Sequence, residues 1–210
     1  MADYVIMTDS CCDLPAELAE ELSLEVLPLR LNMSGQEYRN LLDGREIGFQ
    51  EFYSRIRAGE MPVTSAVNPE EFCAAMRPVL EAGKDILCLC FSSALSTTYQ
   101  SAVIAAGELE EAFPERKVRV VDSLCASMGQ GLLVWLCAQE KKKGKTLEEV
   151  LDFAEGAKGN ICHWFTVDDL NHLKRGGRVS AAAALFGTML SVKPVLHVDD
   201  QGRLIPMEKC

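Results

Sequence analysis

Serine, threonine and aspartate side chains recur where predicted strands end and helices begin. They occur at 8–10 (Thr-Asp-Ser) after the first predicted strand, at 122–123 (Asp-Ser) after a later one, and at Thr64, Ser65 and Asn68 before a helix. Hydroxyls and free backbone N–H groups beside a helix N-terminus suit a carboxylate or a phosphate. The same residue types are also the preferred helix caps, so capping better explains any one of these groups taken alone.

The segment 91–101 (FSSALSTTYQS) contains more hydroxyls than capping requires. Six serine and threonine hydroxyls lie between Ser92 and Ser101, whereas one hydroxyl is enough to cap a helix. We therefore interpret this segment either as a capped helix start or as a ligand-binding loop.

Motifs for catalysis are incomplete in this chain. The segment 125–129 has cysteine where a nucleophile elbow begins with glycine, and the segment ending at 144–146 (Gly-Lys-Thr) lacks the first P-loop glycine. His163, His172 and His197 do not have the spacing of a metal site. A serine without a base is a poor nucleophile, so the hydroxyls favour binding over chemistry. A phosphotransferase or acyl hydrolase that uses the same loops is the alternative.

A basic turn occupies 174–178 (Lys-Arg-Gly-Gly-Arg). One interpretation is a helix C-terminus with Gly176 at C′ and cations that match the helix dipole. The other is an anion-contact or docking element, which applies best to Arg178 because it lies beyond the glycines. A partner-docking fragment that binds no ligand is a third hypothesis.

Composition limits the remaining possibilities. The 210 residues are 48% hydrophobic and carry a formal charge of −10, which is typical of a soluble globular protein and argues against nucleic acid as a partner. The sequence has no long apolar run and no signal peptide at its start, so we expect a cytoplasmic protein without stable membrane insertion. The nine scattered cysteines are expected to be small buried hydrophobes, and the Cys11-Cys12 pair is the one place where reactivity is plausible.

The order of predicted elements favours an α/β fold with a mostly parallel, doubly wound sheet. We expect an N-terminal α/β domain over 1–145 and an incomplete second α/β domain over 146–210. Strands are predicted at 4–8, 26–31, 85–91, 118–121, 160–166, 191–198 and 204–207. Helices are predicted from Pro15, at 49–57, after the cap Asn68, at 96–111, before the lysine run 141–143, after the cap Thr146, and at 181–184.

Five strings are together similar, in order and spacing, to the DegV family of fatty-acid-binding proteins, the acyl-carrying subunits of bacterial fatty acid kinase. They are TDSCCDLP at 8–15, the segment 62–72, FSSALSTTYQSA at 91–102, VDSLCASMGQG at 121–131 and the long string 173–209.

The resemblance implies a non-catalytic two-domain carrier that holds one long-chain fatty acid in a tunnel, without a cofactor or a metal. It implies that Thr64, Ser65, Ser93 and Ser96 bind the carboxylate, and that Arg178 belongs to a polar network or docks the partner. The kinase catalytic subunit would supply ATP and form the acyl phosphate.

The chain departs from the family pattern in two places. Thr97 stands where the family has a glycine, which could crowd the carboxylate pocket. Family members also continue beyond the string that ends at Lys209. We therefore expect the second domain to lack its C-terminal part, including a histidine near the carboxylate.

Overall fold

Strands and helices alternate through most of the chain, as the sequence predicts. The computed structural model of the protein describes residues 3–168, 170–178 and 193–209. The strands are β1 (Tyr4–Asp9), β2 (Glu25–Leu27), β3 (Arg30–Met33), β4 (Gln36–Arg39), β5 (Val63–Ser65), β6 (Asp85–Cys90), β7 (Val118–Asp122), β8 (Trp164–Thr166), β9 (Pro194–Val198) and β10 (Leu204–Lys209). The helices are α1 (Ala16–Glu21), α2 (Phe49–Arg57), α3 (Pro69–Glu81), α4 (Thr98–Ala112), α5 (Met128–Lys142), α6 (Leu147–Ala157) and α7 (Leu170–Arg175).

A four-stranded parallel sheet, in the order β2-β1-β6-β7, confirms the predicted α/β fold. Every residue of β6 is buried, as expected for a parallel strand that helices cover on both faces. The chain leaves β1 towards β2 on one side and adds β6 and β7 on the other. The carboxyl ends of β1 and β6 are therefore the switch point at which sheets of this kind bind ligands.

Helices cover both faces of the parallel sheet. One buried cluster joins β1 and β6 to α5 and α6, and a second joins them to α3 and α4. Ile6 lies in the first cluster and Met7 in the second, because successive strand side chains point to opposite faces. Val150 and Ala154 of α6 belong to the first cluster, so the packing favours a domain boundary after α6. The division at 145/146 stays a prediction.

Two small antiparallel sheets accompany the parallel one, in the orders β4-β3-β5 and β10-β9-β8. The single extended run predicted at 26–31 is two strands: β2 joins the parallel sheet and β3 joins the first small sheet. Pro28 lies between them, and it has no N–H with which to continue a ladder. Strand β5 was predicted only as the segment before a helix.

Capping residues place the helix starts. The side chains of Asn68 and Thr146 each accept the backbone N–H three residues later, so both predicted N-caps are confirmed. Helix α4 begins at Thr98, two residues after the predicted start. The N–H of Ser96 instead donates to the carbonyl of Ser92 in a preceding turn (3.2 Å).

The second half of the chain follows the prediction less closely. Strand β8 covers only the end of the predicted strand 160–166, because Lys158–Asn160 forms a short 3-10 turn. The predicted turn at 199–202 joins β9 to β10. The predicted helix 181–184 and strand residues 191–192 lie outside the described residues. Within the described ranges, no helix combines the length and the apolar character that a membrane span requires.

Candidate functional site

A cavity of about 720 Å³, termed the first cavity, lies at the carboxyl ends of β1 and β6. Its lining combines polar and apolar residues. The polar residues include Thr64, Ser93, Ser96, Thr97 and Arg178. The apolar residues include Leu29, Leu31, Ile47, Phe49, Phe52 and Leu95.

The hydroxyl-rich segment after β6 divides into two equal groups. Ser92, Thr98 and Ser101 are buried in the fold, and the Ser92 hydroxyl donates to the carbonyl of Gly202 (2.9 Å). Ser93, Ser96 and Thr97 line the first cavity. Capping and packing therefore account for only part of this segment, and three hydroxyls remain available to a ligand.

The hydroxyl of Ser96 is held in place by the start of α4. Its oxygen accepts the backbone N–H of Thr98 (3.2 Å) and lies 2.9 Å from the Thr98 hydroxyl oxygen. A hydroxyl has one proton to donate and two lone pairs that accept. When the Thr98 hydroxyl donates to Ser96, both lone pairs of Ser96 are occupied and its own proton is free for an acceptor in the cavity.

Ser93 and Thr64 face the same cavity from different elements. The backbone N–H of Ser93 donates to Asp122 (3.1 Å), which anchors the loop and leaves the exposed Ser93 side chain towards the cavity. Thr64 lies on β5, opposite Leu31 of β3. Ser65, the next residue of this strand, is absent from the described residues that line the cavity, because adjacent strand residues face opposite sides.

Arg178 brings a positive charge to the lining of the first cavity. Its Nε donates to the carbonyl of Leu95 (3.2 Å) and its Nη1 donates to the carbonyl of Gly176. Gly177, rather than the predicted Gly176, has the left-handed conformation that follows α7 (φ +74°). Arg178 therefore lines the cavity, as the anion-contact interpretation expects. The structure brings together four of the five predicted site residues: Thr64, Ser93, Ser96 and Arg178.

Asp9 connects the two strand ends beneath the cavity. Its side chain is completely buried and accepts the backbone N–H groups of Cys11 (3.0 Å) and Phe91 (2.8 Å) and the side-chain amide of Gln130 (3.2 Å). Burial raises the pKa of the Asp9 carboxyl, although these donors act in the opposite direction. Asp9 thus fixes the loop that carries Ser93.

A second cavity of about 630 Å³ adjoins the first. His163 lines it, and a Cβ on Gly129 would lie only 1.7 Å from Nε2 of this histidine, so the position requires glycine. Burial lowers the pKa of His163. The apolar lining includes Met128, Leu132, Ile161, Trp164, Phe165 and Val198. The two cavities share Cys11, Asp13, Asn40 and Phe91.

Two contributions to the site were not predicted from the sequence. The aromatic residues of α2 line the first cavity, although Phe49 and Tyr53 are each more than half exposed. The spacing of Phe49, Phe52 and Tyr53 along the predicted helix was the signal available in the sequence. The role of Asp9 had no comparable signal, because Phe91 is distant in sequence.

The Cys11-Cys12 pair is poorly suited to reaction. Burial raises the pKa of both thiols, that of Cys12 to about 11, and so disfavours the reactive thiolate. The hydroxyl of Ser93 has no hydrogen bond to an acid or a base among the described residues, so the hydrolase alternative gains no support. Nor do three potential metal ligands cluster anywhere within those residues.

Comparison with known proteins identifies a matching family and related proteins. The family described as "Uncharacterised protein, DegV family" matches residues 3–210. A DegV domain-containing protein of Clostridium perfringens is 46% identical over 204 residues, which are 97% of this chain and 70% of that protein. The chain belongs to the DegV family.

Two solved structures resemble this fold closely. A DegV family protein from Thermus thermophilus, described for its fatty acid binding, has a TM-score of 0.86 and 38% identity, covering 99% of this chain and 71% of that one. A stearic-acid-binding protein from Eubacterium ventriosum has a TM-score of 0.89 and 28% identity, covering 99% and 70%.

Proposed function

We propose that this DegV family chain binds a long-chain fatty acid, with its carboxylate at Thr64, Ser93, Ser96 and Arg178. The observation that carries the proposal is that hydroxyl residues and Arg178 line the first cavity together with aliphatic and aromatic residues. An amphiphile with one anionic end and a long apolar chain matches both kinds of lining residue. A cavity of this volume lies within the usual range for small-molecule sites.

Charge orients the proposed ligand. Arg178 and the N-terminus of α4, a helix of 15 residues, both attract an anion to the segment 92–97. Asp13 lies at the junction of the two cavities and would repel an ionised carboxylate. The carboxylate is therefore assigned to the segment 92–97, and the acyl chain to the apolar residues that line the cavities.

The relatives support this proposal. Two solved structures with TM-scores of 0.86 and 0.89 to this chain are described by their fatty acid or stearic acid binding. Ser65 belongs to the residues that the family resemblance implies, and its contribution stays a prediction.

The proposal is tested by titrating palmitate or oleate into the purified chain by calorimetry. We expect saturable binding of one fatty acid per chain, and clearly weaker binding of methyl palmitate, which has no anionic end. The double variant Ser93→Ala, Ser96→Ala should lose roughly a hundredfold or more in affinity, since each hydrogen bond to a charged group contributes about 1.5–3 kcal/mol. No affinity for either fatty acid would falsify the proposal.

We also propose that a fatty acid kinase catalytic subunit acts on the bound ligand. That partner would supply ATP and transfer its γ-phosphoryl group to a carboxylate oxygen, giving acyl phosphate and ADP, which requires a cytoplasmic location. The exposed Lys174 and Arg175 beside Arg178 support docking of a partner by charge. Lys174→Glu should slow acyl phosphate formation, trapped as the hydroxamate, with unchanged palmitate affinity. An unchanged rate would contradict this assignment.

A further inference from the structure

Thr97 occupies the N-cap position of α4 without capping the helix. Its φ of −80° and ψ of 1° are accessible to any L-residue, so the backbone here does not need a glycine. Thr97 is exposed and is one of the residues that line the first cavity, and its hydroxyl has no hydrogen-bond partner among the described residues. The threonine in place of the family's glycine therefore does not strain the backbone of this turn.

The neighbouring serine explains why the Thr97 hydroxyl is free. Ser96 accepts the Thr98 N–H, so the hydroxyl that serves the helix start comes from one residue earlier in the chain. Thr98 itself is completely buried and pairs with Ser96. Of the three consecutive hydroxyls, Thr97 alone is exposed and is used by no contact within the described part of the fold.

We propose that Thr97 is a further carboxylate-binding residue, whose hydroxyl donates a hydrogen bond to the fatty acid head group alongside Ser93 and Ser96. This inference rests on the proposed function. A carboxylate offers about four lone-pair sites on its two oxygens, so it can accept from all three hydroxyls and from a guanidinium. An uncharged ester is a weaker acceptor and gains less from the additional donor.

The side-chain position also affects the shape of the site. Thr97 is a lining residue of the cavity, and a glycine at this position would have neither the methyl nor the hydroxyl. Thr97→Val keeps this shape and removes only the donor, because valine and threonine differ by one methyl in place of the hydroxyl. Thr97→Ser keeps the donor and removes the methyl.

The test compares palmitate and methyl palmitate binding by calorimetry to the wild type, Thr97→Val and Thr97→Ser. We expect Thr97→Val to bind palmitate about tenfold more weakly, as for the loss of one hydrogen bond to a charged group, and to bind methyl palmitate with little change. Thr97→Ser should bind palmitate with an affinity close to that of the wild type. The melting temperatures should agree, since Thr97 is exposed and caps nothing.

Several results would overturn the inference. If the wild type binds palmitate and Thr97→Val binds it equally well, the inference about Thr97 fails while the proposed function stands. An equal loss for palmitate and methyl palmitate, or an equal loss in Thr97→Ser, assigns Thr97 a role in shape rather than in carboxylate binding. A wild-type chain with no palmitate affinity removes both the proposed function and this inference.

Discussion

Two strand ends at the same edge of the parallel sheet contain similar residues in different roles: at one end the hydroxyls stabilise the fold, and at the other they line a cavity. At the first crossing, residues 8–10 at the end of β1, the Thr8 hydroxyl donates to the carbonyl of Leu89 (2.8 Å). The Ser10 hydroxyl oxygen accepts from the backbone N–H of Leu29 (3.0 Å) and from the side-chain amide of Asn40 (3.1 Å). At the second crossing, residues 92–98 after β6, three hydroxyls face a cavity instead.

The difference follows from burial. Thr8, Asp9 and Ser10 are almost completely buried, so each polar atom must find a partner inside the protein. Ser93 and Thr97 are exposed to the cavity, where water or a ligand can supply the partner. Hydroxyls at a strand end thus stabilise the fold when the protein itself pairs them, and they are available for binding when it does not.

The largest effect should come from breaking the first crossing. Asp9→Ala removes the acceptor of the backbone N–H groups of Cys11 and Phe91 and of one N–H of the Gln130 amide, whose nitrogen also donates to Thr8. We expect the free energy of unfolding to fall by about 3 kcal/mol, because each unpaired buried donor costs about 1–3 kcal/mol and partial relaxation recovers some of it. Urea denaturation measures this loss, and a change below about 1 kcal/mol would contradict the structural role of Asp9.

The same kind of substitution at the second crossing should affect affinity rather than stability. Ser93→Ala removes a hydroxyl that no group within the described residues pairs. We expect palmitate affinity to fall about tenfold, while the free energy of unfolding stays within about 0.5 kcal/mol of the wild type. Calorimetry measures the palmitate affinity, and urea denaturation of the same preparation measures the free energy of unfolding. A loss of stability without a loss of palmitate affinity would contradict the assignment of Ser93 to ligand binding, and would give it the structural role proposed for the first crossing.

The pH dependence of stability sharpens the account of the first crossing. Burial raises the folded-state pKa of Asp9 above its ordinary value of 3.8. The folded state therefore binds the Asp9 proton more tightly than the unfolded state does. The contribution of this protonation to the free energy of unfolding is complete below about pH 4, and it decreases as the pH rises through the folded-state pKa. The stability difference between the wild type and Asp9→Ala should shrink over that rise. A difference that grows with pH would show that the carboxylate form is the stabilising one.

The smallest expected effect comes from two adjacent residues of β5. Thr64 lines the first cavity, and Ser65 is not among the described residues that do. Thr64→Val should weaken palmitate binding measurably, whereas Ser65→Ala should leave the affinity unchanged. The two variants form a matched pair, because each removes one exposed hydroxyl from the same short strand. Weaker binding in Ser65→Ala would restore this serine to the carboxylate site.

Local sequence signals predicted much of the fold. The apolar strands β1, β6 and β7 and the caps Asn68 and Thr146 depend on neighbouring residues, and the structure has them where expected. The split at Pro28 was visible only as an interruption, since the sequence did not indicate that the two halves join different sheets.

The site depends more on contacts between distant residues. The segment 91–101 was recognised by its excess of hydroxyls, but the sequence did not distinguish the buried Ser92 from Ser93. That distinction depends on the hairpin turn at Gly202, which lies 110 residues further along the chain. Asp9 and Phe91 are likewise 82 residues apart. Composition and local spacing do not indicate which distant residues make such contacts.

A crystal structure of the chain grown with palmitate tests the central claim most directly. The account predicts carboxylate density within hydrogen-bonding distance, about 3 Å, of the Ser93 and Ser96 hydroxyls, with Thr8 and Ser10 still bonded inside the protein. The acyl chain should follow the apolar wall of the cavities. Carboxylate density away from the second crossing, or a Ser10 hydroxyl turned towards the ligand, would contradict it.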